Sequence, residues 1–216
     1  MRLRSMVFLA LFTSTLCSFA AEPGKDAEKG KELFNGKDLT GWKKTEFGGE
    51  GEVEVKDGKI VTHEGASLSG VTYTNSLPAR INFQITLEAM KIEGDDFFCG
   101  LTFPVKDTHC TFIVGGWGGG VVGLSSIDGM DASENETTKY LKFEKNKWYK
   151  IKVEVRENRI KGWIDNDLMA DQEIKDHKVD LRPGGIELQK PLGLATYQTT
   201  AAWRNVKFTP LGETKP

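Results

Sequence analysis

Across residues 80–92 the apolar side chains Ile81, Phe83, Ile85, Leu87 and Ala89 fall at every second position, with Asn82, Gln84, Thr86 and Glu88 between them. A period of two is that of a β-strand, whose successive side chains point to opposite faces. A helix would repeat its apolar stripe near every 3.6 residues, so this segment is not one. The same alternation returns in residues 148–155 and in Phe97, Cys99, Leu101 and Phe103, followed by Cys110, Phe112 and Val114. Tight-turn signals separate such runs. Asp57-Gly58 joins residues 52–56 to 59–62 as a hairpin, and Arg156-Glu157-Asn158 and Asp165-Asn166-Asp167 do the same further on. Residues 66–74, 121–125, 186–189, 194–197 and 203–209 read as further strands. No long segment has helical periodicity. The pattern predicts an all-β sandwich or barrel of about twelve or more strands. The 24 glycines in 216 residues exceed the usual share of about 7%, as many turns and bulges require.

Residues 1–20 read as a secretory signal peptide: Arg2 and Arg4 form a basic start, a short apolar run follows, and Ser18 and Ala20 are the small residues before a cleavage site at Ala21. The apolar run is shorter than the ~20 residues a membrane span needs. Residues 21–30 are polar and form a leader, residues 31–212 one domain, and residues 213–216 a tail. The expected location is the periplasm or the outside of a bacterial cell, with no membrane insertion after cleavage. Cleavage leaves Cys99 and Cys110 as the only cysteines. Packing both apolar faces inward pairs Cys99 with Val114 and Phe103 with Cys110. The two thiols then lie four residues apart, about 13 Å at ~3.3 Å per residue, beyond reach of a disulfide. Two buried thiols are expected.

A net charge of -2 supplies no basic excess for a nucleic acid. Gly118, Gly120 and Gly123 match G-x-G-x-x-G, but a β-rich segment follows where a dinucleotide fold needs a helix. The same glycines fit a loop or bulge within a sheet. Trp117 beside them is either a stacking platform for a sugar or an ordinary buried aromatic. No H-x-x-x-H or H-E-x-x-H pair and no G-x-S-x-G elbow occurs. Phe98, Thr102, His109 and Thr111 share the strand face opposite the apolar one, where sandwiches of this kind bind ligands. The polar stretch 128–139 carries Asp128, Asp131, Glu134 and Glu136, which read as a solvated loop, a pocket lining or a cation site.

The run LFNGKDLTGW, residues 33–42, resembles the opening motif of the exported bacterial 3-keto-disaccharide hydrolase domain family. Gly185-Ile186-Glu187-Leu188-Gln189 and Trp203-Arg204-Asn205-Val206 are similar to the family's closing strands. The resemblance covers about residues 31–211. It implies a concanavalin-like jelly roll of two antiparallel sheets and the cleavage of glycosides already oxidised to a ketone at C3. Such a ketone acidifies the C2 proton, so one base and one stabiliser of the enolate oxygen suffice. Under that reading His109 is the base, with Glu134 or Glu136 next. Asp128 orients the base or holds a divalent metal. Phe98, Trp117, Gln189 and Tyr197 contact the sugar. A carbohydrate-binding module without turnover is the alternative. The family's middle pattern is absent: Cys99-Gly100 stands where Ser-Gly is usual, and Lys190-Pro191 replaces the usual Asp-His.

Overall fold

The computed structural model describes residues 30–212; the expected signal peptide, most of the leader and the tail lie outside them. Fifteen strands form two antiparallel sheets. The first sheet contains β1 (Lys31–Glu32), β3 (Val53–Lys56), β4 (Lys59–Thr62), β6 (Phe83–Gly94), β11 (Trp148–Arg156), β12 (Arg159–Ile164), β13 (Asp167–Glu173) and β15 (Thr199–Pro210). Its order is β13-β12-β11-β6-β15-β4-β3, with β1 added to β15. The second contains β2 (Trp42–Lys44), β5 (Leu68–Tyr73), β7 (Cys99–Val105), β8 (Thr108–Gly115), β9 (Val121–Ser125), β10 (Lys139–Tyr140) and β14 (Gly193–Tyr197). Its order is β10-β9-β8-β7-β14-β5-β2. The architecture is the expected jelly-roll sandwich.

The core fills the space between the sheets. From β6 come Phe83, Ile85, Leu87 and Ala89; from β7 and β8, facing them, come Leu101, Phe103, Phe112 and Val114. Trp203 on β15 is fully buried, and its indole N–H donates across the sandwich to the carbonyl of Phe98 at 2.9 Å. The β7–β8 register is the one the alternation predicts: Cys99 faces Val114 and Phe103 faces Cys110. Both cysteines are free and buried. Burial alone pushes the Cys99 thiol far up, and burial pushes that of Cys110 up to about 12. The Asp57-Gly58 hairpin also forms, with both residues at positive φ and Lys56 opposite Lys59. Residues 186–189 depart from expectation. They form a single 3-10 turn, because Gly185 enters at φ 112 and takes the chain out of the extended conformation.

Two sequence motifs that carry the family resemblance prove to be frame. In residues 33–42, Asn35 Oδ1 accepts from the amides of Lys37 and Asp38 at 2.8 and 3.1 Å, and Asp38 Oδ1 accepts from the amide of Thr40 at 2.8 Å. These Asx turns curl the segment. The hydrogen bonds from Thr40 and Asn35 hold the Asp38 carboxyl down at about 2. The curl lets the Trp42 indole donate to the Leu33 carbonyl at 2.9 Å while Leu33, Phe34 and Trp42 enter the core. In residues 203–206, Asn205 at φ 55 marks an irregularity in the β15–β6 pairing. The bulge lets Trp203 and Val206, three apart, both point inward.

The second sheet's outer face is where a site can form. It carries Gly100 and Thr102 from β7, His109, Thr111 and Ile113 from β8, Gly123 and Ser125 from β9, and Gly193 and Ala195 from β14. Residues 126–138 and 174–192 cover part of it. Phe97, Ile113, Val121, Ala132, Leu181, Ile186 and Ala195 form a second apolar cluster there. Glycine is what lets the cover sit close. A Cβ at Gly193 would lie 2.4 Å from the Gln189 side chain, and one at Gly123 would lie 3.0 Å from the Ala132 carbonyl oxygen.

Candidate functional site

The cover leaves one part of this outer face open as a cleft of about 440 Å³. Thr111 and Ile113 of β8 and Ser125 at the end of β9 line it from the sheet. Phe97, Trp117 and Tyr197 supply aromatic surface, and Asp96 and Arg182 supply charge. Trp117 and Tyr197 are 39% and 37% exposed, unlike the sealed aromatics of the core.

Trp117 is held there by a turn that few sequences tolerate. Residues 115–120 join β8 to β9, and Gly115, Trp117, Gly118 and Gly119 all have positive φ. Three glycines take that conformation without penalty. Trp117, at φ 48, does not; a left-handed residue with a Cβ costs on the order of 1–2 kcal/mol. The neighbouring Asp96 secures the turn. Its Oδ1 accepts from the Phe97 amide at 2.8 Å and its Oδ2 from the Gly118 amide at 3.2 Å. Its own amide donates to Thr199 Oγ1 at 3.1 Å. The indole ring then lies 5.5 Å from the Arg182 guanidinium, a cation–π arrangement.

Arg182 is anchored on its other side. Its Nε lies 3.3 Å from Asp131 Oδ2, and Asp131 Oδ1 accepts from the Ser125 hydroxyl at 3.2 Å. The chain Ser125, Asp131, Arg182, Trp117 therefore runs from the sheet to the rim of the cleft. It presents a planar cation, hydroxyls and an aromatic face together. That combination suits a polar ligand with apolar C–H faces.

The remaining sequence candidates lie elsewhere. Phe98 is fully buried in the core and packs edge-on against Phe143 at 5.0 Å, so it is no ligand contact. Strict alternation begins only at Cys99, where β7 starts; one residue earlier the chain bends, so Phe98 turns inward and Phe97 takes the outer position. His109 is 8% exposed, lies outside the cleft lining, and its Nε2 has no hydrogen-bond partner. Burial, and then the charges of Arg80 and Lys190, push its imidazole down to about 4. Gln189 is a brace. Its Nε2 donates to the carbonyls of Val71 at 3.2 Å and Leu194 at 2.8 Å, tying β5 to β14.

The acidic loop does not converge on the cleft either. Asp128 accepts from or shares a proton with His177 Nδ1 at 2.7 Å and accepts from the Lys178 amide at 2.7 Å, on the exposed side. The His177 hydrogen bond holds the Asp128 carboxyl down, and the same bond holds the imidazole up. Glu134 is exposed, and Glu136 accepts from Gln172 Nε2 at 2.6 Å. Asn135 explains the loop's shape: its side-chain nitrogen donates to the carbonyls of Leu124, Met130 and Asp131 at 2.7, 3.1 and 2.8 Å. The loop is tied by its amide; Asp128, Glu134 and Glu136 are turned out, and Asp131 alone turns toward the cleft residues Ser125 and Arg182. Among the described residues no three His, Cys, Asp or Glu side chains come together to hold a metal ion. Of the eight sequence candidates the cleft gathers Trp117 and Tyr197. Sequence reading missed Asp96, Ser125 and Arg182 as site residues.

The chain matches the 3-keto-alpha-glucoside-1,2-lyase-like domain over residues 29–209. No curated protein sequence matches it. Among solved structures it is similar to a putative glycosyl hydrolase from Parabacteroides distasonis ATCC 8503, at 16% identity and TM-score 0.53, over 83% of this chain and 93% of that one. The carbohydrate binding module CBM66 from Bacillus subtilis gives 17% identity and TM-score 0.50, over 79% of this chain and 96% of that one. A Bacillus licheniformis beta-glucanase gives 13% and 0.56, over 84% and 97%. At such identities the likeness is one of fold. The family match runs through all but β15's last residue, and on it the chain belongs to the 3-keto-alpha-glucoside-1,2-lyase-like domain family.

Proposed function

We propose that the cleft is a carbohydrate site and that the protein is exported to cleave 3-keto-glycosides there. The observation that carries this reading is the cleft itself, with Trp117 and Tyr197 exposed beside Asp96 and Arg182. Its volume of about 440 Å³ is within the usual range for a small-molecule site, about 300–1,000 Å³. The pyranose C–H face stacks on Trp117, and Thr111 and Ser125 offer hydroxyls to the ring substituents. Asp96 takes the base role that the family resemblance implied for His109, because it lines the cleft and His109 does not. It removes the C2 proton of a sugar with a C3 ketone, and the electron pair moves to the C3 oxygen as an enolate. Arg182 stabilises that oxygen. Return of the pair restores the ketone, forms the C1–C2 double bond and expels the glycosidic oxygen, which takes up a proton. Water then adds across the double bond. The family match and the glycan-related neighbours support this chemistry; the basic signal-like start of the sequence supports export.

A second reading, glycan binding without turnover, has its own support. His109, Asp128, Glu134 and Glu136 all lie outside the cleft, and both Asp96 oxygens already accept backbone amides. One experiment separates the two. The mature protein is incubated with 3-keto-glucosides and with the unoxidised glucosides, with divalent metal and with chelator, and products are followed by mass spectrometry. Cleavage of the keto substrates alone, lost in Asp96→Asn, is the expected result. Binding without cleavage by the folded protein establishes the second reading, and neither binding nor cleavage removes both.

A further inference from the structure

Lys91 breaks the strongest pattern in the sequence. It follows Phe83, Ile85, Leu87 and Ala89 in phase on β6, so its side chain leaves the strand on the core side. It is 6% exposed, a burial that lysine almost never reaches without a partner. Yet among the described residues its ammonium makes no ion pair and no side-chain hydrogen bond. The side chain runs to the end of the sandwich and opens into a groove of about 420 Å³ behind the glycine turn. Gly118, Gly119, Gly120, Leu141 and Lys142 complete the lining with two aromatics. Lys91 Nζ comes within 3.5 Å of where a Cβ at Gly119 would sit, in ordinary contact with the turn, whose φ of 97 at Gly119 is what favours glycine there. Burial pushes the amine's pKa down, Lys145 lowers it further, and Asp95 and Asp96 oppose this without pairing.

A largely buried ammonium that forms no ion pair with the nearby Asp95 and Asp96 keeps its donors free, and an anion that joins it lowers the cost of its burial. We propose that the Lys91 groove is an oxyanion site, taking the carboxylate or sulfate of an acidic carbohydrate. Lys142 stands exposed on the rim and gives the anion a second cation. The wall between groove and cleft is one turn: Trp117 faces the cleft, and the next three residues line the groove. A sugar stacked on Trp117 can therefore place an acidic substituent across the turn. The oxyanion site stands on Lys91 alone; the carbohydrate carrying the anion rests on the reading of the cleft above.

The test is a titration of nitrogen-15-labelled protein, following the amides of Gly118 to Gly120. Sodium sulfate and sodium glucuronate are compared with sodium chloride at equal ionic strength, since sulfate also acts on proteins without binding. The expected result is a saturable shift at these glycines with both oxyanions and none with chloride. Lys91→Met weakens it at least about tenfold, the loss of one charge-assisted hydrogen bond of roughly 1.5–3 kcal/mol. Lys142→Ala, on the exposed rim, weakens it severalfold and covers the case in which Lys91→Met does not fold. Tighter binding of glucuronate than of sulfate assigns the anion to a sugar; equal binding assigns the groove to free oxyanions and overturns the carbohydrate part. No saturable shift, or an unchanged response in both variants, overturns the site. A neutral glucoside that shifts Trp117 while sulfate shifts nothing sinks the groove and leaves the cleft intact.

Discussion

Thr111 and His109 lie two residues apart on β8, on the same outer face of the same sheet, yet only one of them meets a ligand space. At Thr111 the covering segment stands off, and Ser125, Asp131 and Arg182 satisfy one another around an open cleft. At His109 the face is closed. Its imidazole is buried with Nε2 unpartnered, and the nearby charges are Arg80 and Lys190, both cations. Strand alternation fixes which side of a sheet a residue takes. It is the cover, held down by Gln189 and Asn135, that decides whether that side is a site or a second core.

That comparison is open to attack, most forcibly through the cover. Gln189→Ala should cost about 3 kcal/mol, since it removes two buried side-chain hydrogen bonds and leaves a gap against Gly193. Urea unfolding measures it; a loss near zero would mean that residues 174–192 are not held by this brace. The closed end offers the next effect. An imidazole whose pKa falls to about 4 on folding is bound neutral, and the unfolded chain takes up the proton first. Stability should therefore be full at pH 7 and fall as the pH drops from about 6.5 toward 4. Between pH 7 and pH 5 the wild type should lose about 2 kcal/mol more than His109→Leu. Parallel pH profiles would place His109 in contact with solvent.

At the open end, Trp117→Gly should separate strain from function. Relief of the left-handed residue should leave stability equal or higher, while carbohydrate binding falls about tenfold with the lost aromatic face. Calorimetry on both properties checks this, and unchanged binding would remove Trp117 from the site. The smallest effect belongs to the acidic loop. Asp128→Asn should leave binding and turnover unchanged, since its partners His177 and Lys178 face away from the cleft. A fall in turnover would restore the loop as part of the site.

These contrasts also show what the sequence makes legible. The β7–β8 register follows from counting, because one slip would turn every apolar side chain outward. The Asp57-Gly58 hairpin is legible from its turn chemistry. For Trp117 the sequence leaves a stacking platform and a buried aromatic both open, and the positive-φ glycine turn is what leaves it 39% exposed. Phe98 is not, since alternation holds only within a paired strand and the chain bends just before Cys99. The failure at residues 186–189 is of the same kind: Gly185 redirects the chain before a strand can begin. Arg182 and Asp96 were beyond reach because their role depends on contacts over long stretches of chain. Arg182 meets Trp117 and Asp131, and Asp96 meets Gly118. The motifs that carry the family resemblance point to the frame, as Trp42 and Trp203 do, so the fold was easier to read than the chemistry.

The strand orders have a consequence for how such a chain is made. The last two strands in order of synthesis are each central: β14 lies between β5 and β7 in one sheet, and β15 between β6 and β4 in the other. Neither half of the sandwich can zip shut while residues 193–210 are still missing. A ribosome would thus hold an open chain until nearly the whole domain had emerged, and closure of both sheets would come in one late step. An assembly order of this kind keeps the polypeptide open until the domain's last two strands have been made.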